Sequence, residues 1–354
     1  MRRRTAPTKA LVVTGAGGVG KTTLSAALAV AAAERDQTAL VLTVDPARRL
    51  ADALGLSDIG NDPQPAPGRP GLYAAMLDVT ASWEAIIHRY AEPDVADRLL
   101  DNAFFRAIAD RFPAAQAYAA GEQMAEFIEG GHWDVLVVDT PPAAGGIDFF
   151  MAPRRTGDLV GGKLLHWLTG ASLPGRRWMY RVTARPMLRI ADTILGGPLL
   201  EDLAEFLIDL RTMYDGLSVR AKTIERHLRQ ADTLIVTTAD PTPLREAHRF
   251  FEELPEIEIN PAALVFNRAL PVEWIDAARK PIRNVPDPEL RAVLRQNLNR
   301  WAGEARRQVD AREELAARYQ VPLATVPWLI ESPTSADALA DMLAHSEGLQ
   351  TVLA

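Results

Sequence analysis

Residues 15–22, Gly15-Ala16-Gly17-Gly18-Val19-Gly20-Lys21-Thr22, carry the spacing G-x-x-x-x-G-K-[ST], and that spacing leaves a chain few ways to fold around it. An apolar run, Ala10-Leu11-Val12-Val13-Thr14, leads in, and an alanine-rich stretch from Lys21 to about Arg35 leads out. The pattern predicts strand, tight loop, helix. Glycines let backbone N–H groups turn inward where side chains would block them. The helix N-terminus adds partial positive charge. Such a cradle suits phosphate. Lys21 can then reach the β- and γ-phosphates, and the Thr22 hydroxyl can take a Mg2+ position. Gly15, Gly17, Gly18, Val19, Gly20, Lys21, Thr22 and Thr23 are therefore the candidate cradle for a nucleoside triphosphate.

The rest of the chain alternates strands with helices, which predicts an α/β fold. We expect a mostly parallel twisted sheet covered by helices on both faces, plus a helical insertion. Expected strands are 39–44, 72–77, 133–138, 233–238, 262–267 and 323–326, with 61–71 a Pro/Gly-rich connection. Helices are expected at 82–90, 94–110, 113–129 and 243–254, with a long one ending near Arg318 and a last one from Ser335. Residues 151–229 read as helical, with breaks at Leu173-Pro174-Gly175 and Gly196-Gly197-Pro198. The expected division is a nucleotide-binding core, 1–150 and 230–354, interrupted by the insertion 151–229. The helical region 82–130 contributes to the helical layer.

The chain has no cysteine, which excludes disulfides, thiolate zinc sites and cysteine-based arsenite binding. The apolar run after Arg2-Arg3-Arg4 is short and becomes the loop, so a basic tail is the better reading than a signal peptide. No run of 18 apolar residues exists, so no transmembrane segment is expected and the location reads as cytoplasmic. The formal charge of −7 is uneven: Pro153 to Ile190 holds eight basic residues against Asp158 alone, which leaves −14 for the rest. That stretch also holds Leu164, Leu165, Trp167, Leu168, Trp178, Met179, Tyr180, Met187 and Leu188. Two readings stand: a helical layer with solvated arginines, or a surface for an apolar partner with nearby negative charge.

Ligands of open α/β sheets bind beyond the carboxyl ends of the strands. Asp45, Asp139, Asp240 and Asn267 all stand at such ends. Val135-Leu136-Val137-Val138-Asp139 has the form of an apolar strand whose closing aspartate bonds Mg2+-bound water. Asp45 is the candidate that orients or deprotonates the attacking water and sits by the metal; its bland role is capping a helix over 47–54. Neither Asn267-Arg268-Ala269-Leu270 nor Thr237-Thr238-Ala239-Asp240 matches the Asn-Lys-x-Asp of guanine sites, so adenine is expected.

Gly-Gly-Val-Gly-Lys-Thr-Thr at 17–23, Thr-Val-Asp-Pro-Ala at 43–47, Val-Val-Asp-Thr-Pro-Pro at 137–142 and Val-Phe-Asn-Arg at 265–268 resemble the arsenical-pump-driving and tail-anchored-protein-targeting ATPases. The resemblance is closer still to bacterial members described as anion-transporting ATPases, and it covers nearly the whole chain. It implies an ATP/ADP- and Mg2+-using dimer with its nucleotides sandwiched between subunits. It makes Asp45 and Asp139 the two switch aspartates, with Asn267 reading adenine and the loop around Val326-Pro327 packing on the base. The chain also departs from the pattern. Ala16 stands where a signature lysine usually reaches the partner's phosphates. Arg48-Arg49 replaces His-Asn, and Ala143-Ala144-Gly145-Gly146 follows the prolines where Thr-Gly-His is usual. Arg48 or Arg49 as substitute, slow hydrolysis, or a heterodimer with a lysine-bearing paralogue are the three ways to read Ala16.

Two classes of function follow. One is an ATP-driven switch that handles an apolar protein client, such as a membrane-protein segment, through the insertion. The other is a regulatory or scaffolding ATPase of the partition type, or the weakly active half of a heterodimer. The tail 335–354 carries no Lys or Arg, which disfavours a basic membrane-binding helix. The Trp/Met/Leu content of 153–190 favours protein or lipid over DNA. No zinc and no DNA are expected.

Overall fold

The computed structural model describes residues 7–44, 49–57, 59–102, 105–106, 113–141, 146–161, 206–283 and 285–349. The expected breaks near Pro174 and Pro198 and most of the basic apolar stretch lie outside these residues. Contacts divide the chain into two compact units. The first comprises 1–76, 130–147 and 229–354; the second comprises 77–129 and 148–228.

The first unit is built on one eight-stranded sheet in the order β3-β4-β2-β5-β1-β6-β7-β8. Its strands are β1 (Lys9–Gly15), β2 (Ala39–Thr43), β3 (Gln64–Pro65), β4 (Leu72–Met76), β5 (Val135–Asp139), β6 (Asp232–Thr237), β7 (Pro261–Ala269) and β8 (Leu323–Pro327). All pairings are parallel except β3 with β4. The inner strands read as unbroken Val/Leu/Ile runs because both their faces are covered. Leu11, Val13, Val41, Val137, Val236 and Val265 enter one apolar cluster with α1 (Lys21–Ala33) and α11 (Ala336–Ala344). Their sequence neighbours Val12, Leu40, Leu136, Val138 and Ile235 are equally buried, on the opposite side of the pleat. There α8 (Pro241–Glu253) packs on β1 and β6, and α10 (Pro288–Tyr319) packs on β7 and β8. The mostly parallel α/β sheet is as the alternation predicts.

Helix ends follow local chemistry. Asp287 caps α10 by accepting from the Glu289 and Leu290 amides, with Pro288 at the first helical position. Ser335 caps α11 through the Ala338 amide. Two short elements escape the sequence reading: β3, inside the Pro/Gly-rich connection, and α9 (Glu273–Ala277), between β7 and α10.

The second unit is helical: α3 (Val79–Tyr90), α4 (Pro93–Asp101), most of α5 (Pro113–Gly130), most of α6 (Gly146–Gly161) and most of α7 (Tyr214–Gln230). The expected helix 94–110 is interrupted at Asn102, which is extended; Phe105 and Arg106 are helical again, and 103–104 and 107–110 lie outside the described residues. The expected start at Ser82 moves to Val79, because the Asp78 carboxylate caps through the Ala81 amide at 3.0 Å. Trp83 stacks on Tyr118, centroids 5.4 Å apart, and donates its indole N–H to the Ala115 carbonyl. Glu122, only 4 % exposed, binds the three helices α3, α5 and α7 together. It accepts from Arg89 at 2.7 Å and from Arg220 at 2.6 Å. Arg220 also reaches Glu129, and Glu129 reaches His227. Among the described residues, no helix is long and apolar enough to cross a membrane.

Candidate functional site

The site lies where β1, β5 and β7 end, in the first unit. β1 closes on Gly15, whose φ of 150° lies in glycine's territory. A Cβ there would run into the Val236 carbonyl of β6, so β1 and β6 can approach this closely only with glycine. The loop then leads to Gly20 at φ 94°, the N-cap of α1. Among the described residues, no side chain caps α1 and no acid stands in its first turn. A helix start with neither a side-chain cap nor an acid in its first turn favours an anion. Gly17 and Gly18 are exposed, Val19 is buried, and Thr22 and Thr23 are half-buried.

Lys21 is 6 % exposed, and its ammonium donates to the carbonyls of Gly15 and Ala16, each at 3.0 Å. The charge is thus folded back along the loop rather than spread into solvent. Asp139, fully buried at the end of β5, accepts from the Thr22 hydroxyl at 2.6 Å and from the Thr43 hydroxyl at 2.9 Å. The register places Thr43 directly opposite Asp139 across the β2–β5 pair. Thr140 adds a hydroxyl bond to the Val13 carbonyl at 2.9 Å, fixing the chain as it leaves β5. Thr22 and Asp139 make an oxygen-only donor pair, the chemistry Mg2+ accepts when substrate phosphates complete its shell.

Asn267, on β7, sends its side-chain amide to the Val19 carbonyl at 2.7 Å, so β7 touches the loop directly. Pro327 ends β8 opposite Ala269, and Trp328 after it donates its N–H to the Ala269 carbonyl. Trp328 is half-exposed and edge-on to Trp274 of α9 at 6.2 Å. Hydrogen bonds therefore join the loop to Asp139 and to Asn267, and Pro327 stands at the same end of the sheet. Asp240 turns aside: it accepts from the Thr238 hydroxyl at 3.0 Å and stands at the N-cap of α8. Asp45 and Arg48 lie outside the described residues, as do 142–145, so the expected water-orienting carboxylate has no described position here.

Sequence reasoning missed Thr43 and the bond from Asn267 to Val19. A threonine at the last position of a strand paired with an Asp-terminated strand was the available signal for the first. The second has no local signal, because 248 residues separate the partners.

The family described as anion-transporting ATPase matches residues 8–284. An ATPase GET3 of Mycosarcoma maydis is 26 % identical over 264 residues, covering 74 % of this chain and 73 % of that protein. A protein of Halobacterium salinarum, provisionally named an arsenical pump-driving ATPase, is 25 % identical over 355 residues. That match takes in 98 % of this chain but only 45 % of the halobacterial protein. An ATPase ASNA1 homolog of Entamoeba histolytica is 22 % identical over 279 residues, covering 75 % of this chain and 77 % of its own length. A nucleotide cradle at the head of an α/β sheet, matched across most of its length, places this chain in the anion-transporting ATPase family as an ATP hydrolase.

Proposed function

We propose that the chain is a Mg2+-dependent ATP switch that works as a dimer and handles an apolar client through its helical unit. The observation that carries the reading is the meeting of Thr22, Thr43 and Asp139 directly beside the Lys21 loop. The loop amides and Lys21 bind the phosphates, and Thr22 and Asp139 hold the metal. Mg2+ supplies positive charge that offsets the charge on the β- and γ-phosphate oxygens. Thr43 keeps the Asp139 carboxylate aimed, so the pair is set before substrate arrives. Asp45 orients the attacking water and takes its proton. Asn267 and the Val326-Pro327 turn hold adenine.

The client part rests on composition. Residues 153–190 combine Trp, Met and Leu with a net charge of +7, and a groove for a helix needs an adaptable apolar lining. Ala16 favours a second form of the reading, a heterodimer whose partner brings a lysine to this chain's phosphates. Hydrogen exchange on the nucleotide-free and ATP-bound protein tests the switch. Protection across 151–229 is expected to change between the states. Uniform, unchanged protection there would leave a regulatory ATPase of the partition type as the better account.

A further inference from the structure

We propose that Asn267 is a positioning residue for the phosphate loop, apart from any contact with the base; the inference rests on the loop being the triphosphate site. The geometry is specific. The Asn267 amide nitrogen donates to the Val19 carbonyl at 2.7 Å, and its carbonyl oxygen accepts from the Arg268 amide at 2.8 Å. Both ends of the side chain are therefore engaged, which sets its orientation.

The backbone explains how it gets there. The pairing of β7 with β8 shifts register between Phe266 and Ala269, and Arg268 adopts φ 57°. Such an irregularity re-aims the neighbouring side chain. The aim is at the loop. A Cβ added at Gly20 would collide with the Asn267 nitrogen, so that nitrogen also walls the left-handed turn from which α1 departs.

The consequence is mechanical. Val19 is buried, and the Asn267 amide supplies a donor to its carbonyl. Holding that carbonyl fixes the rotation of the Val19–Gly20 peptide, which carries the Gly20 amide. The next residue is Lys21. Aspartate at 267 would set a carboxylate against the Val19 carbonyl, and serine would fall short of it. Asparagine matches both the length and the donor.

Tripolyphosphate, which has phosphates and no base, separates positioning from base reading. Affinities of the Mg2+ complexes of ATP and tripolyphosphate should be measured for the parent chain, Asn267→Ala and Asn267→Leu. We expect both variants to bind both ligands roughly three- to ten-fold more weakly, the worth of one ordinary hydrogen bond. Leucine fills the space without the donor, so a packing role would leave Asn267→Leu near the parent. That result overturns the proposal, as does a loss for ATP alone or for neither ligand. A thermal midpoint of each ligand-free variant well above the assay temperature shows that the loss is not unfolding. If the parent itself binds neither ligand, the reading of the site fails instead.

Discussion

Two clusters of charged residues, one in each unit, are held in different ways, and the contrast bears on what each cluster does. In the sheet unit, the Lys21 ammonium is met by two carbonyls and the Asp139 carboxylate by two hydroxyls. These neutral groups orient both side chains. In the helical unit, Glu122 is clamped between two guanidinium groups, and Arg220 passes the pairing on to Glu129. There the charges are spent on one another. Hydrogen bonds aim the charged groups of the site, whereas ion pairs tie the helices of the scaffold together.

The largest expected effect follows from opening the first kind. Lys21→Ala should lower ATP turnover by about 10²-fold or more, because the charge acts on phosphate in ground and transition states alike. Asp45→Asn should instead leave ATP binding intact and slow hydrolysis by roughly 10²–10⁴-fold, the worth of a positioned general base. Phosphate release and nucleotide binding, followed together, read both. Hydrolysis by Asp45→Asn at the parental rate would return that residue to helix capping.

Breaking the closed network should act on stability. Glu122→Gln keeps the shape and removes the charge that Arg89 and Arg220 share, while Glu126 and Glu129 still pair with those arginines, so the expected cost is about 1–2 kcal/mol of unfolding free energy. Denaturant titration measures it, and ATP affinity at low temperature should stay at the parental value. A parental denaturation midpoint would show that the buried charge adds nothing net to stability, and the contrast between the two clusters would collapse.

The smallest effect concerns His227. Burial holds its pKa below the ordinary 6.5, against the raising influence of Glu129; Arg226 and Arg220 add to the lowering. The fold therefore favours neutral His227, and the unfolded chain binds the proton more readily. Stability from this group is complete above about pH 6.5 and is lost as the pH falls through the lower folded value. Unfolding midpoints measured between pH 5 and 7 should flatten in His227→Gln relative to the parent. An unchanged slope assigns the dependence elsewhere.

What could be read from the sequence divides instead by how local the interaction is. The cradle, the Asp139 strand end and the Asn267 strand end are local patterns, each written in fewer than ten consecutive residues. Their side chains act through backbone geometry that the local sequence dictates. Thr43 reaches Asp139 across 96 positions, and Arg220 reaches Glu122 across 98. Bonds of that kind depend on register and packing and leave no periodic trace. Two-residue β3 was illegible for another reason: its Gln64-Pro65 has poor strand propensity, and only the edge of an existing sheet makes it one. The break after α4 shows the converse: Asn102 is extended in the middle of a helix pattern that runs on in the sequence, and Phe105 and Arg106 are helical again.

The sheet order also sets a clock. β1 is flanked by β5 and β6, which the chain reaches only at residues 135 and 232. A ribosome adding about 5–20 residues per second needs roughly ten to fifty seconds to deliver both neighbours. Throughout that interval Leu11, Val12 and Val13 have no finished sheet to enter, and Val19 must wait longer still for Asn267. The phosphate loop is made long before its partner on β7, so a nascent chain cannot engage ATP through a finished loop until Asn267, 248 positions beyond Val19, has been synthesised.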